Sequence, residues 1–245
     1  MYETTNEPNP LDVRDRLIVA LDFPSADEAM ELVERLEGCC RWFKVGMELY
    51  YAAGNRVIEG LRERGFEVFL DLKLHDIPNT VSGAVRSVTG TGASLLTVHA
   101  GGGGQMMAAA AQAASEPGAP QLLAVTVLTS MDVAELHAVG VTGDPAAQVL
   151  RLARLAGAAG IDGLVCSAEE VAAVRAAMGP KARLVVPGIR PAGVTGGDDQ
   201  RRVASAAEAI ARGASMLVVG RPITQAADPA RAAAGILAEI ASSLA

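Results

Sequence analysis

Short apolar runs rich in β-branched residues alternate with longer stretches of helical period along almost the whole chain. About eight such pairs follow one another from Asp15 onward, which is the pattern that parallel βαβ units produce. The runs are mostly continuous in apolar character, as expected for strands that are covered on both faces. They predict strands at residues 17–21, 42–45, 67–70, 94–98, 122–128, 163–165, 183–186 and 216–219.

The number of repeats and the chain length together favour a closed barrel over an open sheet. A (β/α)8 barrel typically takes about 250 residues, and this chain has 245. We therefore predict a single α/β domain, a (β/α)8 TIM barrel at 15–245, preceded by a tail at 1–14. Helices are predicted at 25–36, where Ser25 and Glu28 have capping-box spacing, and at 145–159, where proline follows Asp144. With 50% hydrophobic but only 3% aromatic residues, aliphatic side chains are expected to fill the core.

Charge and composition exclude several classes of function. The chain has 21 Lys and Arg against 28 Asp and Glu, a net charge of −7, which argues against a nucleic-acid partner. No stretch approaches the roughly 20 strongly apolar residues of a membrane-spanning helix, so no membrane association is predicted. The first residues are polar and acidic, unlike a secretory signal, and predict a cytoplasmic location. The 3 cysteines form no CxxC pair, so neither a disulfide framework nor a metal site is predicted.

Charged residues gather at the ends of two neighbouring predicted strands. Asp71 and Lys73 lie two residues apart, so their side chains share one face of the strand while the leucines beside them take the other. Lys44 ends the preceding strand, and Asp76 follows three residues after Lys73. The carboxyl ends of barrel strands converge on one face, where alternating charges would offset the cost of burying each other. A structural salt-bridge cluster is the alternative interpretation.

Glycine and arginine follow the last two predicted strands. Gly188 with Arg190, and Gly220 with Arg221, stand where barrels often bind phosphate through backbone N–H groups and a cation. A glycine-rich stretch at 191–199 follows Arg190 and could close over a ligand as a lid. An ordinary flexible loop is the alternative interpretation.

The segment DLKLHDIPNT at 71–80 resembles the signature of the orotidine 5'-phosphate decarboxylase family. The resemblance continues in VALDFP (19–24), FKVG (43–46), VTVLTSM (125–131), VVPGIRPAG (185–193) and VVGRPIT (218–224). It covers essentially everything after the tail, and the later segments resemble bacterial members. It implies a TIM barrel that decarboxylates orotidine 5'-phosphate to uridine 5'-phosphate, the last step of de novo pyrimidine biosynthesis, without a cofactor or metal.

The resemblance also implies roles for individual residues. Lys73 would deliver a proton to C6 of the pyrimidine as carbon dioxide leaves, and Asp71 would face the carboxylate of the substrate. Lys44 would bridge the ribose and the charged residues, and Asp22 would bind the ribose hydroxyls. The other implied substrate-binding residues, which serve the pyrimidine, the ribose and the phosphate, are Thr129, Ser130, Pro187, Gly188, Arg190, Gln200, Gly220 and Arg221. For the hydroxyl pair among them, simple helix capping is the alternative.

Two further residues imply an assembly. Asp76 and Thr80 match family positions that reach into the site of the neighbouring subunit, so the resemblance implies a homodimer with shared active sites. Two alternative functions stay open: a related keto-sugar phosphate decarboxylase or synthase barrel that uses Mg²⁺, and a noncatalytic barrel that binds sugar phosphates. The HDIPNT segment and the long lid ending in Gln200 argue against the first. The presence of every charged residue of the motif argues against the second.

Overall fold

The computed structural model describes residues 12–190 and 202–244. Its parallel strands close into a barrel in chain order, with the last strand paired to the first. The predicted (β/α)8 TIM barrel is therefore confirmed. The strands are β1 Leu17–Leu21, β2 Trp42–Gly46, β3 Glu67–Leu74, β4 Leu95–His99, β5 Gln121–Val125, β6 Gly163–Val165, β7 Arg183–Val186 and β8 Met216–Val219.

Helices surround the barrel, and local capping signals set where they begin. Ser25 accepts a hydrogen bond from the backbone N–H of Glu28 at 3.3 Å, and Asp144 caps a helix that starts with Pro145. Both helices predicted from these signals are confirmed. The helices are α1 Ala26–Arg35, α2 Met47–Ala53, α3 Asn55–Glu63, α4 Pro78–Val88, α5 Gly103–Ala113, α6 Val133–Ala138, α7 Pro145–Ala158, α8 Val171–Met178, α9 Ala206–Ala211, α10 Arg221–Thr224 and α11 Pro229–Leu244, with 3-10 turns at Val13–Arg16 and Ala100–Gly102.

The apolar residues form two separate layers of core. Within β1, Ile18 points into the barrel, whereas Leu17 and Val19 point outward to the helices. The outer layer is the larger one and is built mainly from Ala, Val, Leu and Ile, as the composition predicts. The barrel interior is filled by Ile18, Ala20, Trp42, Phe69, Leu95, Leu123, Val185, Met216 and Val218. Burial of this aliphatic surface is the main stabilising contribution.

The fifth strand is shorter than predicted. The apolar run continues to Leu128, but β5 ends at Val125. The backbone N–H of Thr126 still donates to the carbonyl of Val165, and then the chain leaves the sheet. Val127 nevertheless stays buried, at 5% exposed, because it lies in the wall of a cavity. Apolar sequence alone does not distinguish a strand from such a wall.

Two further sequence predictions concern the tail at 1–14 and the absence of a membrane-spanning helix. Residues 1–11 lie outside the described part, so the tail predicted at 1–14 stays a prediction. No helix within the described ranges combines the length and the apolar character that crossing a bilayer requires.

Candidate active site

A cavity of about 300 Å³ opens at the carboxyl ends of the strands. This is the face on which TIM barrels build their active sites, and the volume lies in the range of small-molecule sites. The structure brings most of the predicted site residues together here: Asp22, Lys44, Asp71, Lys73, Thr129, Ser130, Pro187, Gly188, Arg190, Gly220 and Arg221.

Four of these residues form a chain of alternating charge across one side of the cavity. The Nζ of Lys73 lies 2.9 Å from both carboxylate oxygens of Asp71. The Nζ of Lys44 lies 2.9 Å from Asp22 Oδ1 and 3.8 Å from Asp71 Oδ2. The side chains of Lys44 and Asp71 are only 11% and 13% exposed, whereas that of Asp22 is 59% exposed. The two central charges are therefore buried as partners, and Asp22 remains accessible to a ligand.

The backbone at Lys73 departs from regular strand geometry. Lys73 has a φ of +49°, the only positive φ among non-glycine residues in the described ranges. The register between β3 and β4 is interrupted over the same stretch, between Leu70 and Leu74. Such a conformation costs about 1–3 kcal/mol and is typical of functional sites. Even so, Leu70 lies in the outer core and Leu72 packs against it, so the predicted division of the strand into a charged face and an apolar face is confirmed.

Thr97 in β4 holds this irregular segment in place, although the sequence analysis did not select it. Its side chain is fully buried. Its Oγ1 accepts a hydrogen bond from the backbone N–H of Lys73 at 2.8 Å and donates one to Asp71 Oδ1 at 3.0 Å. A hydroxyl residue inside the apolar run LLTV was the available signal, because a buried polar side chain needs a partner.

Gly46 is a second residue that the sequence analysis did not assign to the site. A Cβ at this position would lie 2.9 Å from Lys44 Nζ and 3.1 Å from Asp22 Oδ1. The φ of Gly46 is −88°, which any residue can adopt. Glycine therefore leaves room for the ion pair, and a larger residue would displace the end of the Lys44 side chain.

The loops after β7 and β8 bring the predicted phosphate residues to the cavity. Gly188 has a φ of +79°, a conformation that favours glycine, and it directs the chain so that Arg190 also lines the cavity. Gly220 and Arg221 line it from the end of β8. Thr129 is half-buried and also lines the cavity. The cavity therefore offers two arginine side chains to an anion and a chain of alternating charges to the rest of a ligand.

Two predicted site residues do not line this cavity, and a third falls outside the described residues. Asp76 and Thr80 are exposed and lie outside it. The carboxylate of Asp76 accepts a hydrogen bond from the backbone N–H of Ile77, its own neighbour, at 2.6 Å. Gln200 and the glycine-rich stretch before it lie outside the described residues.

Two histidines stack beside the charged motif. The rings of His75 and His99 are nearly parallel, at 12°, with centroids 5.2 Å apart. His99 Nδ1 accepts a hydrogen bond from the backbone N–H of Gly101 at 3.1 Å. Burial, with smaller electrostatic contributions from His75 and Lys73, lowers the pKa of His99, which favours the neutral ring that this acceptor role needs. Residues 12–190 and 202–244 contain no group of three or more His, Cys, Asp or Glu placed to hold a metal ion.

Comparisons with known proteins identify the family of this chain. Residues 15–236 match the model of the Orotidine 5'-phosphate decarboxylase / HUMPS family. The chain is 55% identical over 224 residues to the orotidine 5'-phosphate decarboxylase of Anaeromyxobacter dehalogenans, covering 91% of this chain and 97% of the relative. It is 53% identical over 232 residues to that of a Methylobacterium species, covering 95% and 98%. A crystal structure of orotidine 5'-phosphate decarboxylase from Lactobacillus acidophilus superimposes with a TM-score of 0.81 at 39% identity, covering 92% of this chain and 99% of that one. The resemblance seen in the sequence is thereby confirmed, and the chain belongs to the orotidine 5'-phosphate decarboxylase / HUMPS family.

Proposed function

We propose that this chain converts orotidine 5'-phosphate to uridine 5'-phosphate and carbon dioxide, with Lys73 as the proton donor. It is a carboxy-lyase of de novo pyrimidine biosynthesis, the activity for which its relatives are named. The observation that carries the proposal is the Lys73 ammonium, held 2.9 Å from both oxygens of Asp71 inside the cavity. An ammonium fixed in this way can stabilise a carbanion and then protonate it.

The two sides of the cavity suit the two ends of this substrate. Arg190 and Arg221 suit the 5'-phosphate, because guanidinium groups bind phosphate oxygens through charge-assisted hydrogen bonds. Asp22, at the exposed end of the charged chain, can accept hydrogen bonds from the ribose hydroxyls. Phe69 and Val218 provide apolar surface for the pyrimidine ring. The carboxylate on C6 then faces Asp71 and Lys73.

In the reaction, the bond between C6 and the carboxylate breaks and its electron pair stays on C6. Carbon dioxide leaves as a neutral molecule, and Lys73 Nζ donates a proton to C6. Solvent returns a proton to the Lys73 amine after the product has left. Asp71 holds the ammonium in place and lies against the carboxylate that is lost, while Lys44, 3.8 Å away, balances the charge of Asp71.

The reaction is tested by following the absorbance of orotidine 5'-phosphate with purified protein and excess chelator. We expect the orotate chromophore to disappear without added metal. Lys73→Ala is the matched control, because it removes the ammonium while Leu72 and Leu74 keep their packing on the outer core. Wild-type turnover in this variant would end the assignment of Lys73. A requirement for Mg²⁺ would favour the keto-sugar phosphate alternative, and nucleotide binding without turnover would favour a noncatalytic barrel.

We further propose that Asp76 and Thr80 complete the active site of a second copy of the chain. Both residues are exposed and lie outside the cavity of their own chain. Between them, Ile77 is 67% exposed. An exposed apolar side chain next to a carboxylate suits a segment that inserts into a partner.

Subunit complementation tests the shared site. Lys73→Ala and Asp76→Ala subunits, each inactive alone, are mixed and allowed to exchange. A mixed dimer with shared sites has one site with both defects and one with neither. Since about half of the dimers are mixed, activity should approach about a quarter of the wild-type value per subunit. A mixture that exchanges subunits and stays inactive would refute the shared site.

The other sequence predictions are unchanged by the structure. A cytoplasmic location and the absence of nucleic-acid and membrane partners remain predictions.

A further inference from the structure

A buried ion pair lies behind the cavity wall, apart from the charged chain described above. Arg202 is 8% exposed and Glu170 is 4% exposed, and Arg202 Nη1 contacts Glu170 Oε1. The hydroxyl of Ser167, which is fully buried, donates to the other carboxylate oxygen of Glu170. Apart from Lys44, no other charged residue of the described ranges is buried. Arg202 and Glu170 do not line the cavity, so substrate contact does not account for them.

The guanidinium of Arg202 binds backbone carbonyls that follow the end of β5. Its Nη2 donates to the carbonyl of Val127 at 3.2 Å and to that of Leu128 at 2.9 Å. The strand ladder has already ended, and the Leu128 carbonyl also accepts a hydrogen bond from the backbone N–H of Met131 at 3.0 Å. The turn that this bond closes contains Thr129 and Ser130, which line the cavity. Arg202 thus contacts the carbonyl from which the turn that carries this hydroxyl pair begins.

Arg202 also connects to the loops that follow β6 and β7. Glu170 and Ser167 belong to the connection between β6 and α8. The segment after Arg202 pairs with the loop after β7, where the backbone N–H of Ala204 donates to the carbonyl of Gly188 at 3.3 Å. Gly188 lines the cavity at its phosphate side. The guanidinium thus joins the loop after β5 to the loop after β6, and the backbone beside Arg202 pairs with the loop after β7. The loops after β5 and β7 carry predicted substrate-binding residues.

We propose that Arg202, held by Glu170, is a positioning residue for the decarboxylation, an inference that rests on the function proposed above. It fixes the carbonyls that precede Thr129 and Ser130 and so holds the two hydroxyl groups at the cavity. Displacing a binding group by 1 Å can cost about 10²-fold in rate. Arginine suits this task because its planar fork donates in several directions at once, which the ammonium of lysine does not reproduce.

A purely stabilising role is a poor explanation for this pair. Burying two charges costs about as much as their attraction gains, so apolar residues often serve stability equally well. Arg175 provides the comparison within the same chain. It also binds carbonyls, those of Ala182 at 2.6 Å and Gly213 at 2.8 Å, but it does so at the amino ends of β7 and β8, opposite the cavity. It is therefore the matched control for an arginine that serves the fold alone.

The first test compares Arg202→Met, Arg202→Lys and Arg175→Met at a temperature at which circular dichroism shows each to be folded. We expect Arg202→Met to lower kcat/KM about 10- to 100-fold and Arg202→Lys to remain at least about fivefold below wild type. Arg175→Met should lower Tm and leave kcat/KM within about twofold of wild type. Wild-type kcat/KM in Arg202→Met, or full recovery with lysine, would overturn the proposal.

A double-mutant cycle supplies the readout that a merely structural role would not change. If Arg202 acts through Ser130, the fold-loss of kcat/KM caused by Arg202→Met should be at least about fivefold smaller in a Ser130→Ala background. In an Arg221→Ala background it should persist within about twofold. Additivity with Ser130→Ala would refute the proposal. If Arg202→Met does not fold, Glu170→Gln and Arg202→Lys are measured in the same cycle.

Failure of the proposed function is distinguishable from failure of this inference. A wild-type protein that does not decarboxylate orotidine 5'-phosphate would defeat the proposed function. The same double-mutant cycle would then compare the Kd of each variant for uridine 5'-phosphate. An active wild-type enzyme with an additive cycle would defeat the positioning role of Arg202 alone.

Discussion

Replacing Thr97 by valine tests how the charged chain is held in place. Valine keeps the branched shape of threonine and removes only the hydroxyl. Two hydrogen bonds are lost: the one that Thr97 Oγ1 accepts from the backbone N–H of Lys73 at 2.8 Å, and the one that it donates to Asp71 Oδ1 at 3.0 Å. The variant thus removes a hydroxyl that contacts both the strained backbone of Lys73 and the carboxylate of Asp71.

The magnitudes follow from these two bonds. Leaving the Lys73 N–H without a partner costs about 1–3 kcal/mol, and a hydrogen bond to a charged group contributes about 1.5–3 kcal/mol. Relaxation of the Lys73 backbone from its positive φ recovers about 1–3 kcal/mol. The middle of each range gives a net loss of about 2 kcal/mol in the free energy of unfolding. For a chain of this size that lowers Tm by about 4–8 °C. Because the ammonium is released with its backbone, kcat/KM should fall by about 10²-fold.

The control is Thr126→Val in the neighbouring strand connection. Thr126 is 1% exposed, and its Oγ1 donates to the carbonyl of Val165 at 2.8 Å, but it does not line the cavity. That carbonyl keeps a second hydrogen bond, from the Thr126 backbone N–H. Thr126→Val should therefore lose only about 1 kcal/mol of stability with kcat/KM unchanged. Steady-state kinetics and urea unfolding of both variants check these values. If Thr97→Val loses stability but keeps wild-type kcat/KM, the positioning of Lys73 by Thr97 is refuted.

Three further predictions address other parts of the site. Gly46→Ala should lower kcat/KM at least about 10-fold, because the new Cβ would lie 2.9 Å from the Lys44 ammonium. The control is Gly60→Ala in α3, where a new Cβ would have no atom within 4 Å. It should keep wild-type kinetics and gain about 0.5–1 kcal/mol in the free energy of unfolding by urea. Arg221→Ala should raise KM more than it lowers kcat. Phosphite should activate turnover of a phosphate-free substrate less in this variant than in wild type. Equal activation in both proteins would show that Arg221 does not bind the phosphate. The folded-state pKa of His99 is lowered from 6.5, so the unfolded chain binds its proton more readily and the contribution of His99 to stability is lost as pH falls below about 6.5. Between pH 7 and pH 5 the free energy of unfolding, measured with urea, should therefore fall less for His99→Asn than for wild type. An equal fall in both proteins would contradict the lowered pKa of His99.

Much of the barrel and of its cavity follows from local sequence patterns. Alternating apolar runs and helical stretches predict the order of the strands, because each pattern reflects only the burial of residues close together in the chain. Asp71 and Lys73 share a strand end two residues apart, so their pairing could be predicted from strand geometry. The residues predicted to bind phosphate could be placed at the cavity in the same way, since Gly188 and Arg221 each lie two positions after a predicted strand.

Only the tertiary structure decides which distant groups meet. The hydroxyl of Thr97 in β4 contacts Asp71 and the backbone of Lys73 in the neighbouring strand β3. That contact lies where the β3–β4 register is interrupted, and no periodicity in the sequence predicts the interruption. Arg202 and Glu170 are separated by 32 positions in the chain and pair only because the loops after β6 and β7 converge on one face of the closed barrel. Strand and helix patterns arise from neighbouring residues, whereas hydrogen bonds between side chains and distant backbone groups depend on how the barrel closes.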